Sequence, residues 1–288
     1  MRIAIVGAGR VGTAVAVLLA RAGHEIVAAA GRTQTAARVA TWLPGVPFLS
    51  AIEAAALGEV VVLSVPDDAL VPVASELAAA GSVAAGTWVV HVSGAAGLDV
   101  LDPLHRAGAR RLALHPLQTF PDVEAAIAAL PGCHVAVTAD DEGGLELGRR
   151  LAADLGTTPF RLADDRRPVY HAAAVFASNY LVATSAVAER LFAEAGVPEP
   201  LDAMRPLQET TLANVVRLGP GAALTGPAVR GDASTVERNL DALAKSAPET
   251  VAAYVAMCRI ALDLGHETGR LDASGRRAVE EVLARWDR

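Results

Sequence analysis

The chain has 288 residues, a length typical of one large domain or two modest ones. Hydrophobic residues make up 52% of it and charged residues 20%, so it can bury a full core. The formal net charge is −7 and no run is rich in Lys or Arg, whereas nucleic-acid binders normally carry a basic patch. We interpret the pairs Arg149-Arg150 and Arg166-Arg167 as solvated helix ends, and we expect no nucleic-acid partner.

The cysteines and the apolar segments bear on the location of the protein. Cys133 and Cys258 are far apart and lack metal-ligand spacing, which is typical of reduced, buried thiols in a cytoplasmic protein. No apolar run reaches the roughly 18 uncharged residues of a membrane span. The apolar segment Ile3–Val6 is followed at once by glycines, unlike a signal peptide. We therefore expect a cytoplasmic protein with no membrane partner.

Residues 1–165 alternate between short apolar runs and longer segments of helical periodicity. The runs predict buried strands at Ile3–Val6, Glu25–Ala30, Val60–Ser64, Trp88–Val92, Arg111–Leu114, Cys133–Thr138 and Thr158–Arg161. The segments between them predict helices at Val11–Arg21, Thr33–Trp42, Ala69–Ala80, Leu98–Ala107 and Glu142–Leu155. Repeated units of this kind indicate an α/β domain with a doubly wound, mostly parallel sheet.

Residues 166–288 carry few strand signals and predict an all-α C-terminal domain. The segment Pro168–Ala195 predicts one long helix with apolar residues on several faces. Such a helix is normally buried, here by its own domain or by a second subunit. Further helices are predicted over residues 201–218, 233–246, 248–268 and 273–287.

A glycine-rich turn connects the first predicted strand to the first predicted helix. Its sequence, Gly7-Ala8-Gly9-Arg10-Val11-Gly12, has the spacing G-x-G-x-x-G. In this context Gly7 allows the tight turn, Gly9 lets the backbone approach a pyrophosphate, and Gly12 lets the helix pack against the strand. The free N–H groups of the helix then face the phosphates. The pattern predicts a dinucleotide-binding Rossmann domain over residues 1–165.

The type of dinucleotide is predicted from the residues after the second strand. An NAD site usually has an acidic residue about 20 residues beyond the glycines. This chain has Arg32 and Thr33 there, and a guanidinium suits the 2′-phosphate of NADP. The alternative is that Arg32 is only a surface charge. Further cofactor contacts are predicted at two loops that follow strands, Ser64-Val65-Pro66-Asp67 and Ser93-Gly94, whose alternative is an ordinary turn.

Hydride transfer to a carbonyl or imine also needs a proton donor and a group that holds the substrate. His115 and Gln118 follow a predicted strand at the expected edge of the sheet, although His115 can equally be structural. On the long helix, His171, Ser178 and Asn179 are seven and eight residues apart and share roughly one face. We interpret them as a substrate-facing stripe, the alternative being a hydrogen-bond network between helices.

A loop of glycine, proline and charge lies between two predicted C-terminal helices. Arg230 is a candidate clamp for a substrate carboxylate, with Gly226, Pro227 and Asp232 beside it, although Asp232 can instead cap the next helix. No His, Cys or Asp spacing predicts a metal site. The predicted partner is therefore a small anionic substrate.

The order of these motifs resembles a known family. The chain is similar to the two-domain Rossmann-like reductases whose C-terminal half is a domain of unknown function, within the 6-phosphogluconate dehydrogenase-like group. The resemblance covers nearly the whole chain and rests on Gly7–Gly12, Ser64–Asp68, His91–Gly94, Leu114–Gln118, Tyr170–Tyr180 and Thr225–Asp232. It implies a helical substrate and dimerisation domain over residues 166–288, and hence a homodimer.

Some members of that family are alternative ketopantoate reductases, so the resemblance implies NADPH-dependent reduction of 2-dehydropantoate in pantothenate synthesis. Several relatives place a lysine four residues before the helix asparagine, where this chain has Val175. Proton donation is therefore expected from His171 or His115, orientation from Asn179, and carboxylate binding from Arg230. The alternatives are another reductase or dehydrogenase of the group, of imine or prephenate type, or a non-catalytic NADP-binding sensor.

Overall fold

The computed structural model of the chain describes residues 1–32 and 34–287. The chain separates into two compact units, Met1–Asn179 and the part that begins at Tyr180. The first is an α/β unit and the second is built from helices, which confirms the predicted fold class. The domain boundary expected near residue 165 stays a prediction.

A seven-stranded sheet forms the centre of the first unit. Its strands are β1 Arg2–Val6, β2 Glu25–Ala30, β3 Val60–Leu63, β4 Trp88–His91, β5 Arg110–Pro116, β6 His134–Ala139 and β7 Thr158–Arg161. Their order is β2-β1-β3-β4-β5-β6-β7. The pairings from β2 to β5 are parallel, β5 and β6 are antiparallel, and β6 and β7 are parallel again.

As far as the chain is described, seven helices lie between these strands and an eighth follows β7: α1 Arg10–Arg21, α2 Thr35–Trp42, α3 Ala51–Ala55, α4 Asp67–Ala79, α5 Asp102–Arg106, α6 Val123–Ala129, α7 Glu142–Asp154 and α8 Arg167–Ala177. The predicted helix Leu98–Ala107 is instead a 3₁₀ turn, Leu98–Leu101, followed by α5. The short helices α3 and α6 were not expected.

The apolar strands sort their side chains to the two faces of the sheet. Ile3 and Ile5 of β1 pack with residues of α1 and α7, while the alternate residues Ala4 and Val6 pack with α4 and α5. Successive residues of a strand point to opposite faces, so both faces carry a core covered by helices. This arrangement is the doubly wound sheet that the sequence predicts.

Within the described residues, the helices of the second unit are α9 Asn179–Glu194, whose first residue is the last of the first unit, α10 Pro200–Leu218, α11 Pro220–Ala223, α12 Ala233–Ser246, α13 Val251–Glu267 and α14 Ala273–Ala284. Val236, Leu240 and Leu262 are part of a core formed by α12, α13 and α14. No helix in the described part of the chain has both the length and the apolar character needed to cross a bilayer.

The single long helix predicted over Pro168–Ala195 is wrong. The chain leaves helical geometry at Ser178, where φ is −128° and ψ is −68°, so α8 ends at Ala177 and α9 begins at Asn179. Ser and Asn side chains compete with the helical backbone for hydrogen bonds, which favours a break at this pair. None of the residues of α9, all of them described, is buried within the chain, so the helix is not buried by its own domain. Burial by a second subunit stays a prediction.

Candidate active site

Four strands of the first unit end at the same edge of the sheet. Val6 pairs with Leu63, Leu63 with His91, and His91 with Ala113. The residues after these positions therefore gather at one edge, because parallel strands place their carboxyl ends together. At that edge lie the glycine turn, the two predicted cofactor loops and His115.

The glycine turn at this edge is tight at two glycines and open at the third. Gly7 has φ +97°, and a Cβ there would lie 2.4 Å from the carbonyl oxygen of Ser64. A Cβ on Gly12 would lie 2.3 Å from the carbonyl oxygen of Gly7. On Gly9, by contrast, the nearest described atom would be 4.0 Å away. Gly7 and Gly12 are therefore required by packing, while the space above Gly9 is free for a ligand.

The first turn of α1 has the properties of an anion site. Gly9 is its N-cap and provides no side-chain cap, and none of the described residues of the first turn is acidic. Unpaired N–H groups and the helix dipole favour a phosphate at such a position. Ala8 is buried, Val11 is half-buried and Arg10 is exposed. These residues fit the pyrophosphate of a dinucleotide.

Two arginines follow the second strand near this turn. Arg32, the predicted 2′-phosphate ligand, is exposed after β2, and Thr33 lies outside the described residues. Arg38 of α2 was missed by the sequence interpretation, and its Nη1 donates a hydrogen bond of 3.3 Å to the carbonyl oxygen of Ala8. Only the fold brings Arg38 to the glycine turn, 30 residues away in sequence.

The loops after β3 and β4 differ in exposure. Ser64 and Val65 are half-buried, while Pro66 and Asp67 are exposed and begin α4. The loop after β4 is buried at Ser93 and Gly94, and the Ser93 hydroxyl accepts a hydrogen bond of 3.0 Å from the Ala96 N–H.

Gly94 packs directly against two histidine rings. A Cβ on Gly94 would lie 2.6 Å from Nδ1 of His171 and 2.7 Å from Nε2 of His115. The absence of a side chain at Gly94 therefore lets the loop after β4 touch both rings. The cofactor contact expected at this loop stays a prediction.

A cleft of about 630 Å³ opens beside these rings. Five of the predicted site residues line it, namely His115, Gln118, His171, Ser178 and Asn179. Tyr170 and Phe120 line it as well, although neither was proposed as a site residue. The spacing along the helix thus placed His171, Ser178 and Asn179 on one cleft even though the helix breaks at Ser178.

A hydrogen bond joins two of the lining side chains. Nδ1 of His115 lies 2.7 Å from the Tyr170 hydroxyl, and the His115 and His171 ring centroids are 6.3 Å apart. Burial, then the charge of Arg167, then His171 lower the pKa of His115 to about 4. Burial raises the pKa of Tyr170 to about 12. Near neutral pH the pair is therefore a neutral imidazole and a protonated phenol.

His91 is the last residue of β4, the strand that pairs with β5, on which His115 lies. Its side chain is 0% exposed, and neither ring nitrogen has a hydrogen-bond partner among the described residues. Burial first, and the charge of Arg167 second, lower the pKa of His91 to about 3. The ring is neutral near pH 7, and the sequence interpretation gave it no role.

Arg167 is not the solvated helix end that the sequence interpretation made it. The side chain is 0% exposed, while its neighbour Arg166 is exposed. Its guanidinium donates to the carbonyl oxygens of Ser93 and Ala96, and its Nη1 donates to the Thr138 hydroxyl over 3.1 Å. Sequence gave no signal for this, because the partners lie 29 to 74 residues away.

The other predicted substrate residues belong to the second unit. Gly226 has φ +114°, Pro227 is half-buried and Arg230 is exposed. Asp232 caps α12 by accepting a hydrogen bond of 3.1 Å from the Thr235 N–H, and its bonds to Thr235 and Ser234 lower its pKa. The described residues contain no group of His, Cys, Asp or Glu arranged for a metal. Cys133 and Cys258 are buried free thiols, as expected.

Two family matches divide the chain. Residues 1–116 match the family described as a Rossmann-like domain, and residues 133–260 match the family described as a domain of unknown function, DUF2520. The chain thus matches a Rossmann-like domain followed by a DUF2520 domain. This pairing confirms the two-domain resemblance. No curated protein sequence matches the chain.

Solved structures share the fold. A Bacteroides fragilis protein provisionally named an NADP oxidoreductase is 23% identical, with a TM-score of 0.78 over 91% of this chain and 98% of that one. A Thermotoga maritima protein is 23% identical, with a TM-score of 0.70 over 93% and 99%. An imine reductase from Myxococcus stipitatus in complex with NADP⁺ is 15% identical, with a TM-score of 0.68 over 100% of both chains.

The cleft draws on both matched regions. His115 stands at the end of the Rossmann-like match, whereas Tyr170, His171, Ser178 and Asn179 all lie within the DUF2520 match. Arg167 also belongs to the DUF2520 match, although it bonds to the loop after β4 of the Rossmann-like domain. The DUF2520 domain thus supplies the side chains that complete this edge of the sheet.

Proposed function

We propose that the chain is an NADPH-dependent reductase of a small 2-oxo acid. One observation carries the proposal: a glycine turn that is open above Gly9 lies on the same sheet edge as a cleft lined by His115 and Tyr170. A dinucleotide turn and a proton-donating group at one edge are the two parts that a carbonyl reductase needs.

The residues of the turn would hold the cofactor. Gly7 to Gly12 would bind the pyrophosphate, and Arg32 and Arg38 would pair with the 2′-phosphate. The loops Ser64–Asp67 and Ser93–Gly94 are proposed as further contacts. Bound NADPH supplies the hydride. The NADP⁺ complex of the Myxococcus imine reductase supports this choice of cofactor.

The cleft side chains would supply the proton. A carbonyl oxygen that gains negative charge needs a donor nearby. The low pKa of His115 argues against an imidazolium at that position, while the Tyr170 hydroxyl stays protonated through the neutral range. We therefore assign proton donation to Tyr170, with neutral His115 as its hydrogen-bond partner and His171 beside them. Ser178 and Asn179 would orient the substrate.

Within the class of small 2-oxo acids, one substrate can be proposed. We propose 2-dehydropantoate, reduced to pantoate, with Arg230 as the carboxylate clamp and Gln118, Gly226, Pro227 and Asp232 as further contacts. Its support is the family resemblance, and pantothenate synthesis agrees with the cytoplasmic location, which stays a prediction. The second candidate is imine reduction, favoured by the fold match to an imine reductase over 100% of both chains. An imine needs no strong acid, which suits the neutral ring of His115.

We also propose a homodimer formed through the helical unit. None of the residues of α9 is buried, and α10, described throughout, buries only Met204. Large apolar side chains on these helices are exposed, including Val182 at 68%, Leu207 at 63% and Val216 at 81%. Many large apolar side chains exposed on two helices are typical of a protein interface, and a second copy of the chain presents the same helices.

The test is the oxidation of NADPH, followed by its absorbance, with 2-dehydropantoate, other 2-oxo acids, pyrroline-5-carboxylate, other cyclic imines and, with NADP⁺, prephenate. Rapid oxidation with 2-dehydropantoate alone would support the substrate assignment. Turnover of imines or prephenate alone would select that alternative, and NADPH binding without turnover of any of them would favour a sensor.

The Tyr170→Phe variant tests the proton donor. We expect kcat for 2-dehydropantoate to fall about 10²-fold or more, the usual contribution of a positioned acid, with little change in NADPH affinity. Tyr254→Phe is a matched control, because Tyr254 lies in the second unit and bonds to Asn239. A Tyr170→Phe enzyme with wild-type kcat would exclude Tyr170 as the donor.

A further inference from the structure

The buried guanidinium of Arg167 connects three parts of the first unit. It stands at the first residue of α8 and binds two carbonyl oxygens of the loop Ser93–Ala96. Its third partner is the hydroxyl of Thr138 in β6, which donates in turn to the Leu162 carbonyl oxygen over 2.8 Å. A planar group with five fixed donors suits this set of acceptors, and a lysine would not reproduce it.

The loop that Arg167 binds is the one that touches the histidines. Gly94 lies between the two bonded carbonyls and packs against Nε2 of His115 and Nδ1 of His171. Tyr170 and His171 follow Arg167 by three and four residues on α8, so they share one helix face with it. The same side chain therefore sets the distance between the loop that touches the rings and the helix that carries Tyr170 and His171.

We propose that Arg167 is a positioning residue for the reaction: it holds Gly94 against His115 and His171 by fastening the Ser93–Ala96 loop to the start of α8. The proposal rests on the proposed reductase function. Arg167 is too deep to touch substrate, since its side chain is 0% exposed, so it acts through the rings.

The charge of Arg167 has a second effect on the same rings. The titratable groups near His115 are His91 of β4 and Arg167, Tyr170 and His171 of α8, and Cys133, the residue before β6, acts on Tyr170. None of these is an anion near neutral pH, so a proton added to His115 would meet the fixed positive charge. The carboxylates of Asp164 and, more weakly, Asp67 act on Arg167 and raise its pKa, while burial lowers it. Burial is the larger cause of the low pKa of His115, and the charge of Arg167 adds to it, so that His115 stays neutral as a partner for the Tyr170 hydroxyl.

Two variants separate position from charge. In Arg167→Met both the hydrogen bonds and the charge are lost, so the pKa of His115 should rise by about one unit or more toward its ordinary value. In Arg167→Lys the charge remains over the acid range, so the titration of His115 should stay near that of the wild type while kcat falls, because the loop bonds are lost. Arg166→Met, at the exposed neighbour, should change neither quantity.

The measurements are the NMR titration of the His115 ring, assigned with a His115→Gln variant, and the pH dependence of kcat for NADPH oxidation. The expected result is a low-pH titration in wild type and Arg167→Lys, and an acid limb of kcat moved upward by about one pH unit or more in Arg167→Met. An unmoved His115 titration in folded Arg167→Met would overturn the charge effect, and wild-type kcat in Arg167→Lys would overturn the positioning role.

The design separates this proposal from the proposed function. The ring titration needs no substrate, so it decides the charge effect even if no reductase activity is found. If Arg167→Met fails to fold, Thr138→Val keeps the charge and removes one bond of the guanidinium. A folded Thr138→Val variant should then show lower kcat with an unmoved His115 titration, and unchanged kcat would count against the positioning role.

Discussion

His91 is a buried ring that makes the stability of the first unit sensitive to acid. An unfolded chain binds a proton at a histidine near pH 6.5, whereas burial and the charge of Arg167 lower the pKa of the folded ring to about 3. Between these two values the unfolded state binds more protons, so stability falls as the pH is lowered. The loss is about 1.4 kcal/mol per pH unit for one such group.

The His91→Leu variant tests this linkage. In this variant we expect the free energy of unfolding to fall less steeply between about pH 7 and pH 5 than in the wild type, because about one proton fewer is taken up on unfolding. We assign the pH dependence that remains to His115. Urea unfolding followed by circular dichroism at each pH gives the slope. His134→Leu, at an exposed position of β6, should keep the wild-type slope. An identical slope in His91→Leu and wild type would contradict the assignment.

The residues of the site were predictable where local pattern fixes their place. His171, Ser178 and Asn179 line one cleft because helical spacing puts them on one face, and His115 follows from its position after a strand. The burial of Arg167 was missed because the pair Arg166-Arg167 carries no local signal that one side chain is buried. The hydrogen-bond partners of Arg167 lie far away along the chain. Tyr170 was passed over because its hydrogen bond to His115 spans 55 residues.

At the scale of elements, the glycines of the turn are needed for two different reasons, packing and ligand binding. Gly12 is closed in by the carbonyl oxygen of Gly7, so packing forbids a side chain there. A side chain on Gly9 would enter open space, so it would clash only with a bound ligand. The two glycines should therefore respond differently to the same substitution.

We expect Gly9→Ala to keep the melting temperature of the wild type while NADPH affinity falls about tenfold or more, a loss of about 1.4 kcal/mol of binding. Gly12→Ala should instead lower the melting temperature, because overpacking costs about 1–3 kcal/mol. NADPH fluorescence titration and thermal unfolding measure the two effects. Gly9→Ala with wild-type affinity would argue against a pyrophosphate at this turn.

The strands were the most predictable elements, and their directions the least. Buried strands are continuous apolar runs, so six of the seven predicted strands overlap the observed ones within one residue at each end and only β5 extends further, from Arg110 to Pro116. The antiparallel pairing of β5 and β6 was not foreseen, because an apolar run carries no signal of direction. The break at Ser178 was missed because the apolar pattern continues across it.

At the scale of the whole molecule, the exposed apolar side chains of α9 and α10 predict that two copies of the chain associate. We expect sedimentation to give twice the mass of the chain, and Leu212→Glu with Val216→Glu to give the mass of one chain, because charges on this face oppose its burial. Leu57→Glu, at an exposed position of the first unit, should leave the mass of the pair unchanged. A wild-type protein that sediments as one chain would contradict the proposed dimer.

The bond between Arg167 and the loop after β4 limits how the protein can be divided. The two ends of this bond lie 74 residues apart, and Arg167 stands beyond residue 165, where the sequence places a domain boundary. A gene fragment that ends at that boundary would encode the whole sheet, but it would leave the carbonyls of Ser93 and Ala96 without their donor. During synthesis, likewise, the loop can be fastened only after α8 has left the ribosome.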